Sequence, residues 1–162
     1  MISAFEKLIP KLKKAVMNCY GERLVSLVLY GSVGRKTPNY DSDIDMLIIT
    51  EHPPKGRMRR VREFENVEKE LRDELLKLHN RRIYLSLSPI IKSREEVLLG
   101  SPLFLDMIDD SIILYDRKNF FKDYLQAFKK RLENLGAKRI NLGGYWYWIL
   151  KSDYKPGEVF EI

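Results

Sequence analysis

The sequence predicts an α+β fold, α/β-like in its alternation: a small mixed β-sheet packed by helices, with a C-terminal helix and an aromatic strand extension. Three observations carry this. Two β-forming runs, Leu24 to Tyr30 and Met46 to Ile49, flank a short polar segment. A third run, Arg82 to Ser88, alternates apolar and polar residues with the period of a strand. Three other stretches carry apolar residues at helical spacing, before, between and after these runs.

A chain of 162 residues suits a single domain, 1–162. That length buries roughly two-thirds of the unfolded surface. With 44% hydrophobic and 32% charged residues the composition is that of a globular protein, which excludes a disordered chain. The net charge of +6 and pI near 9.3 permit an anionic partner without demanding one. Cys19 is the only cysteine, so no intrachain disulfide forms, and its place on an apolar helix face reads as a small buried hydrophobe. No apolar stretch approaches membrane-span length and the start lacks a signal-peptide pattern, so a cytoplasmic protein is expected.

The first helix starts near Ser3, a candidate cap, and its apolar face is Phe5, Leu8, Ile9, Leu12, Val16 and Tyr20. Pro10 is expected to kink it or delay its start, and Gly21 ends it. After the second strand, Lys55, Arg57, Arg59, Arg60 and Arg62 crowd the start of a helix whose apolar positions are Phe64, Val67, Leu71, Leu75 and Leu78. Positive charge at a helix N-terminus opposes the macrodipole, which lends weight to contact with phosphate, nucleic acid or an acidic protein beside the plainer reading of a solvated cluster; on either reading the cluster is expected to leave folding unaffected. Acid-before-base pairs Glu65–Lys69, Glu68–Arg72 and Asp73–Lys77 support the exposed face. In the third strand Ile83, Leu85 and Leu87 take one face, Tyr84, Ser86 and Ser88 the other, and Pro89 closes or bends it. Short helices at Glu95 to Leu99 and Pro102 to Ile108, a strand Ile112 to Tyr115 and a helix from about Lys118 to Leu135 follow. From Gly143 the tail is aromatic and strand-like, with a turn at Lys155-Pro156-Gly157. Trp146, Tyr147 and Trp148 suit core or dimer contacts better than base stacking.

The chemistry gathers between the first two strands. Asp43 and Asp45 are two residues apart at a strand start, so both project on one face. Two carboxylates that close repel each other, and burying both calls for a cation, most simply Mg²⁺. Gly31-Ser32 ends the preceding strand. If both strands line one mouth they run antiparallel, and the turn offers N–H groups and a hydroxyl to an anion beside the metal.

Gly31-Ser32, Arg35 and Ser42-Asp43-x-Asp45 between two hydrophobic strands resemble the signature of the DNA polymerase β-type nucleotidyltransferase superfamily, and within it the small stand-alone minimal nucleotidyltransferases of archaea and bacteria. The resemblance covers approximately residues 1–116 and implies a nucleotidyltransferase fold there, leaving 117–162 as the C-terminal extension. It implies that Asp43 and Asp45 are catalytic and ligate Mg²⁺ or Mn²⁺. Gly31 and Ser32 would hold a nucleoside triphosphate, Arg35 or Lys36 would neutralise its charge, and Ser42 would steady the Asp pair. The implied reaction is transfer of a nucleoside monophosphate, most simply AMP from ATP, to an acceptor: a protein, an RNA end or a small molecule.

One departure stands out. The family usually supplies a third carboxylate from the third strand, where this chain offers Tyr84, Ser86 and Ser88; Glu95, Glu96 and Asp106 are the acids that would have to substitute. Two other functions therefore stay open. One is a catalytically weak nucleotide-binding or antitoxin-like interaction module with a helical toxin-like partner. The other is a nucleic-acid-binding protein using the basic cluster. A homo-oligomer is compatible with either.

Overall fold

A computed structural model of the chain describes residues 2–37 and 41–162, with the side chains of residues 2, 3, 41 and 42 outside that description. Its elements form two compact units, Met1–Phe121 and Lys122–Ile162. In the first, α1 (Ile2–Tyr20) and a 3₁₀ turn lead into β1 (Leu24–Leu29), then the one-turn helix α2 (Gly31–Gly34), β2 (Asp41–Thr50), α3 (Arg57–His79), β3 (Tyr84–Lys92), α4 (Arg94–Leu98), a 3₁₀ turn and β4 (Ile112–Asp116). The sheet order is β3-β2-β1-β4, with β1 antiparallel to both β2 and β4 and with β2 parallel to β3.

All six residues of β1 are buried, which accounts for its unbroken apolar run in a central strand. Its one polar side chain, Ser26, donates to Asp116 Oδ1 at 2.7 Å, tying β1 to the end of β4. Ile44, Met46 and Ile48 join the core formed with α1 and α3, where Leu12, Val16, Phe64, Val67 and Leu71 pack. By strand alternation, Asp43 and Asp45 open onto the opposite face. Cys19 is half-buried and donates to the Glu63 carbonyl at 3.6 Å. Burial first, then Glu63, pushes its thiol pKa up, so it is no activated nucleophile.

Several boundaries differ from the sequence reading. α1 runs from Ile2 through Pro10 without a delayed start, with Pro10 on the exposed face, and the Ser3 side chain lies outside the described residues. β3 starts at Tyr84 and continues through Pro89 to Lys92. Pro89 is tolerated because β3 is an edge strand of the described sheet, where a missing N–H need cost no ladder bond. The region of the second predicted short helix is the 3₁₀ turn Pro102–Asp106.

In the second unit, α5 (Phe120–Asn134, which begins at the end of the first unit) is followed by a hairpin of β5 (Lys138–Leu142) and β6 (Tyr145–Ile149). β5 was not read from the sequence, because Lys138-Arg139-Ile140-Asn141-Leu142 is too polar and short to announce a strand; its signal is only the Gly143-Gly144 turn before the aromatic run. Trp146 is half-buried beneath the Arg139 guanidinium, 4.4 Å from its ring centre, while Tyr145 and Tyr147 are exposed, so the aromatic strand is not a core element. No helix among the described residues is long and apolar enough to cross a membrane.

The basic cluster divides. Arg60 turns inward: its Nε donates to the Pro54 carbonyl at 2.8 Å, and its two terminal nitrogens grip Glu96 at 2.7 and 2.9 Å. The same side chain also reaches the Ile91 carbonyl at 2.8 Å. This corrects the expectation that the cluster has no part in folding: one helical turn carries Arg60 toward α4 while Arg57, Arg59 and Arg62 stay exposed. Each opposed charge costs about 0.3–1 kcal/mol against the macrodipole. Burying Phe64, Val67 and Leu71 contributes about 1.5–3 kcal/mol apiece, so the helix keeps its start.

Arg60→Gln should therefore lower stability by about 1–3 kcal/mol in urea unfolding. Arg57→Gln with Arg59→Gln should not lower it, and removing two charges opposed to the macrodipole should raise it by about 0.6–2 kcal/mol. Equal effects from both variants would show that the Arg60 contacts carry no stability.

Candidate active site

β1 delivers the chain to the site through Tyr30. Its N–H donates to the Asp45 carbonyl at 3.1 Å, continuing the antiparallel ladder one residue past Leu29–Met46. Gly31 follows at φ +66°, a conformation that favours glycine. A Cβ there would lie 2.4 Å from Asp45 Oδ2, so no other residue fits without moving the carboxylate. Gly34 is fixed the same way from behind, where a Cβ would stand 2.1 Å from the Asp110 carbonyl oxygen. Bonding inside the turn begins with Gly34 N–H to the Tyr30 carbonyl and Arg35 N–H to the Gly31 carbonyl. Among the described residues, the N–H groups of Gly31, Ser32 and Val33 precede that pattern and have no backbone acceptor within the turn.

β2 and β3 run in parallel register, pairing Asp43 with Ser86 and Asp45 with Ser88. Each pair also meets through its side chains. Ser86 Oγ donates to Asp43 Oδ1, and the Ser88 hydroxyl hydrogen-bonds the Asp45 carboxylate. Asp43 is exposed and Asp45 half-buried. Burial raises the Asp45 pKa above the usual carboxylate range, and the negative charge of Asp43 adds to this. The Ser88 hydrogen bond and the positive charge of Arg35 oppose it. Behind them the buried Tyr30 phenol is pushed up to about 12, by burial first and then by Asp45 and Asp106, so it stays neutral.

Of the residues singled out in the sequence, the structure brings together Gly31, Ser32, Arg35, Asp43 and Asp45. Lys36 is exposed at φ 58°, and the Ser42 side chain lies outside the described residues. Two of the three candidate substitute acids lie elsewhere. Glu96 is held by Arg60, and Glu95 lies in the first turn of α4; both follow the C-terminal end of β3, whereas the Asp pair registers with its first half. Asp106 alone comes close enough to act on Tyr30 beside Asp45. Among the described residues no three His, Cys, Asp or Glu side chains cluster for a metal.

Residues 9–105 match the family model described as nucleotidyltransferase domain. The chain belongs to that family. This nucleotidyltransferase-domain protein is 34% identical over 118 residues to a Methanocaldococcus jannaschii protein named "Putative protein adenylyltransferase MJ1305", covering 72% of this chain and 75% of the relative. Among solved structures it resembles a toxin–antitoxin with AMP-PNP, with a TM-score of 0.43, 14% identity and coverage of 78% and 94% of the two chains. A "putative nucleotidyltransferase from Sulfolobus solfataricus" gives a TM-score of 0.38 and 19% identity, with 72% and 89% covered.

The Asp45 environment has a consequence for stability. Folding raises its pKa, so the folded state holds the proton more tightly than the unfolded chain, and stability falls as pH rises through the carboxylate range. In the absence of divalent ions, Asp45→Asn should raise the melting temperature at pH 7, within the roughly 0.5–2 kcal/mol typical of relieving a strained functional site. The gain should vanish below the ordinary carboxylate range, where both states are protonated. A lower melting temperature at pH 7 would show that the ionised side chain is stabilising.

Proposed function

We propose that the protein is a nucleotidyltransferase that moves a nucleoside monophosphate, most simply AMP from ATP, onto an acceptor hydroxyl. The observation that carries this is the contact between the Gly31 backbone and the Asp45 carboxylate, which brings the start of α2 against one member of the Asp pair. N–H groups suit a polyphosphate, and carboxylates suit a cation. Each would repel the other's ligand, so the arrangement fits a phosphate and a cation bound together. A relative named as a protein adenylyltransferase is consistent with adenylyl transfer, and with a protein as one acceptor class.

The donor set fits one hard cation. Asp43 and Asp45 share a strand face, and the Ser86 and Ser88 hydroxyls orient their carboxylates. A Mg²⁺ or Mn²⁺ there would offset the charge on the triphosphate and polarise its α-phosphate. In the transfer, the acceptor oxygen forms a bond to the α-phosphorus while the bond to the bridging oxygen breaks. Pyrophosphate leaves with that electron pair, and the acceptor proton passes to solvent or a base. Gly31, Ser32 and Val33 N–H groups would hold the leaving phosphates, with Arg35 supplying positive charge.

A second reading, nucleotide binding with slow turnover, is favoured by Ser86 and Ser88. They occupy the β3 positions facing the Asp pair and bring neutral hydroxyls where a third carboxylate would bind a second ion. Both readings share the nucleotide site.

Calorimetry tests that site. ATP should bind measurably only with Mg²⁺, and Asp43→Asn together with Asp45→Asn should remove the Mg²⁺-dependent part. Unchanged Mg²⁺-ATP affinity in the double variant would contradict it.

A further inference from the structure

Past the residues in register with the Asp pair, the second half of β3 and the start of α3 enclose a groove of about 460 Å³. Its apolar lining is aliphatic, with Pro89 and Ile90 from β3 and Val61 from α3. Val61 is 38% exposed, and Met58, one helical turn before it, is 74% exposed. Three cations and one acid carry the charge of the groove: Arg57, Arg60, Lys92 and Glu96. Glu96 is already gripped by both terminal nitrogens of Arg60, and Lys92 acts on the same carboxylate. The groove therefore keeps a surplus of positive charge beside exposed aliphatic surface. Folding gives no reason for the exposed Arg57, whose charge opposes the α3 macrodipole.

Strand addition is closed at this end of the sheet edge. The Ile91 carbonyl accepts from Arg60 at 2.8 Å, and Pro89, on the same edge two residues before, has no N–H to give. A partner is thus held here by side chains and not by a backbone ladder. Among the described residues no aromatic side chain lines the groove, so bases have nothing to stack on. Uncompensated cations flanking aliphatic surface match carboxylates on either side of an aliphatic side chain.

We infer that the groove docks an acidic segment of a partner protein, its carboxylates paired with Arg57 and Lys92 and an aliphatic side chain seated on Val61 and Pro89. This surface lies outside the Asp43–Asp45 site and does not depend on nucleotidyl transfer.

Amide NMR spectra of the full chain test this with three probes: an amidated pentapeptide of leucine between two pairs of glutamates, the same peptide with serine for leucine, and hexauridylate. The leucine peptide should shift the amides of Arg57, Val61, Ile90 and Lys92. Arg57→Glu should weaken its binding by about tenfold or more. Arg59→Glu is the control, because Arg59 belongs to the same exposed cluster but lies about 200° round the helix from Arg57. It should change binding by less than about threefold, the size of a screened surface charge effect. Arg57 is exposed, so its replacement leaves the fold intact. The serine peptide should bind about fivefold or more weakly than the leucine peptide. Absence of shifts at these amides overturns the proposal, and so does equal binding of the serine peptide. Equal losses in Arg57→Glu and Arg59→Glu overturn it by showing diffuse attraction to the whole cluster. Stronger shifts of the same amides by hexauridylate overturn it in favour of a nucleic-acid surface.

Discussion

The site depends on one close approach: the backbone at Gly31 lies against the Asp45 carboxylate with no room for a carbon between them. That approach follows from the antiparallel register of β1 and β2, carried past the end of β1 by the Tyr30–Asp45 backbone bond. The register is pinned because both strands are apolar and buried, so a slip of one residue would turn Asp43 and Asp45 into the α1–α3 core and Ile44 and Met46 out of it. Core packing thus fixes the distance between the Gly31 turn and the Asp pair. Gly34, held against the Asp110 carbonyl, fixes the turn from its other side.

Electrostatically the site is under tension. Burial and Asp43 both act against ionisation of Asp45, while Arg35 and the Ser88 hydroxyl partly offset them. In the free protein such an arrangement is a cost; on the proposed function, a cation and a triphosphate arriving together would offset it. The serines on β3 set the arrangement apart from one with a third acid: they orient the carboxylates without adding charge. On the proposed function, fewer charges would weaken the hold on a second ion more than the hold on the nucleotide, because the triphosphate would bring its own oxygens to the first.

Most of the site was legible because its logic is local. Two-residue spacing in a strand places Asp43 and Asp45 on one face, and a Gly-Ser break marks a turn; neither needs tertiary knowledge. The alternation of Arg82 to Ser88 likewise placed Ser86 and Ser88 on the polar face, where they meet the Asp pair. What stayed hidden depends on neighbours far away in sequence. Arg60 reads like its exposed neighbours Arg59 and Arg62, and only the packing of α4 beside α3 gives it Glu96. Pro89 reads as a strand end until β3 is known to lie at a sheet edge. Glu65, Glu68, Lys69 and Arg72 read as helix-surface pairs, and their place in a cleft appears only once β3 lies alongside.

The account's central claim is that Gly31-Ser32 and Asp43-Asp45 form one nucleotide–metal site. Anomalous diffraction from crystals grown with Mn²⁺ and a non-hydrolysable ATP analogue tests it most directly. The account predicts a manganese peak at the Asp43 and Asp45 carboxylates, with the triphosphate on the N–H groups of Gly31 and Ser32. Manganese bound away from these carboxylates, or a triphosphate seated elsewhere with the turn empty, would contradict it.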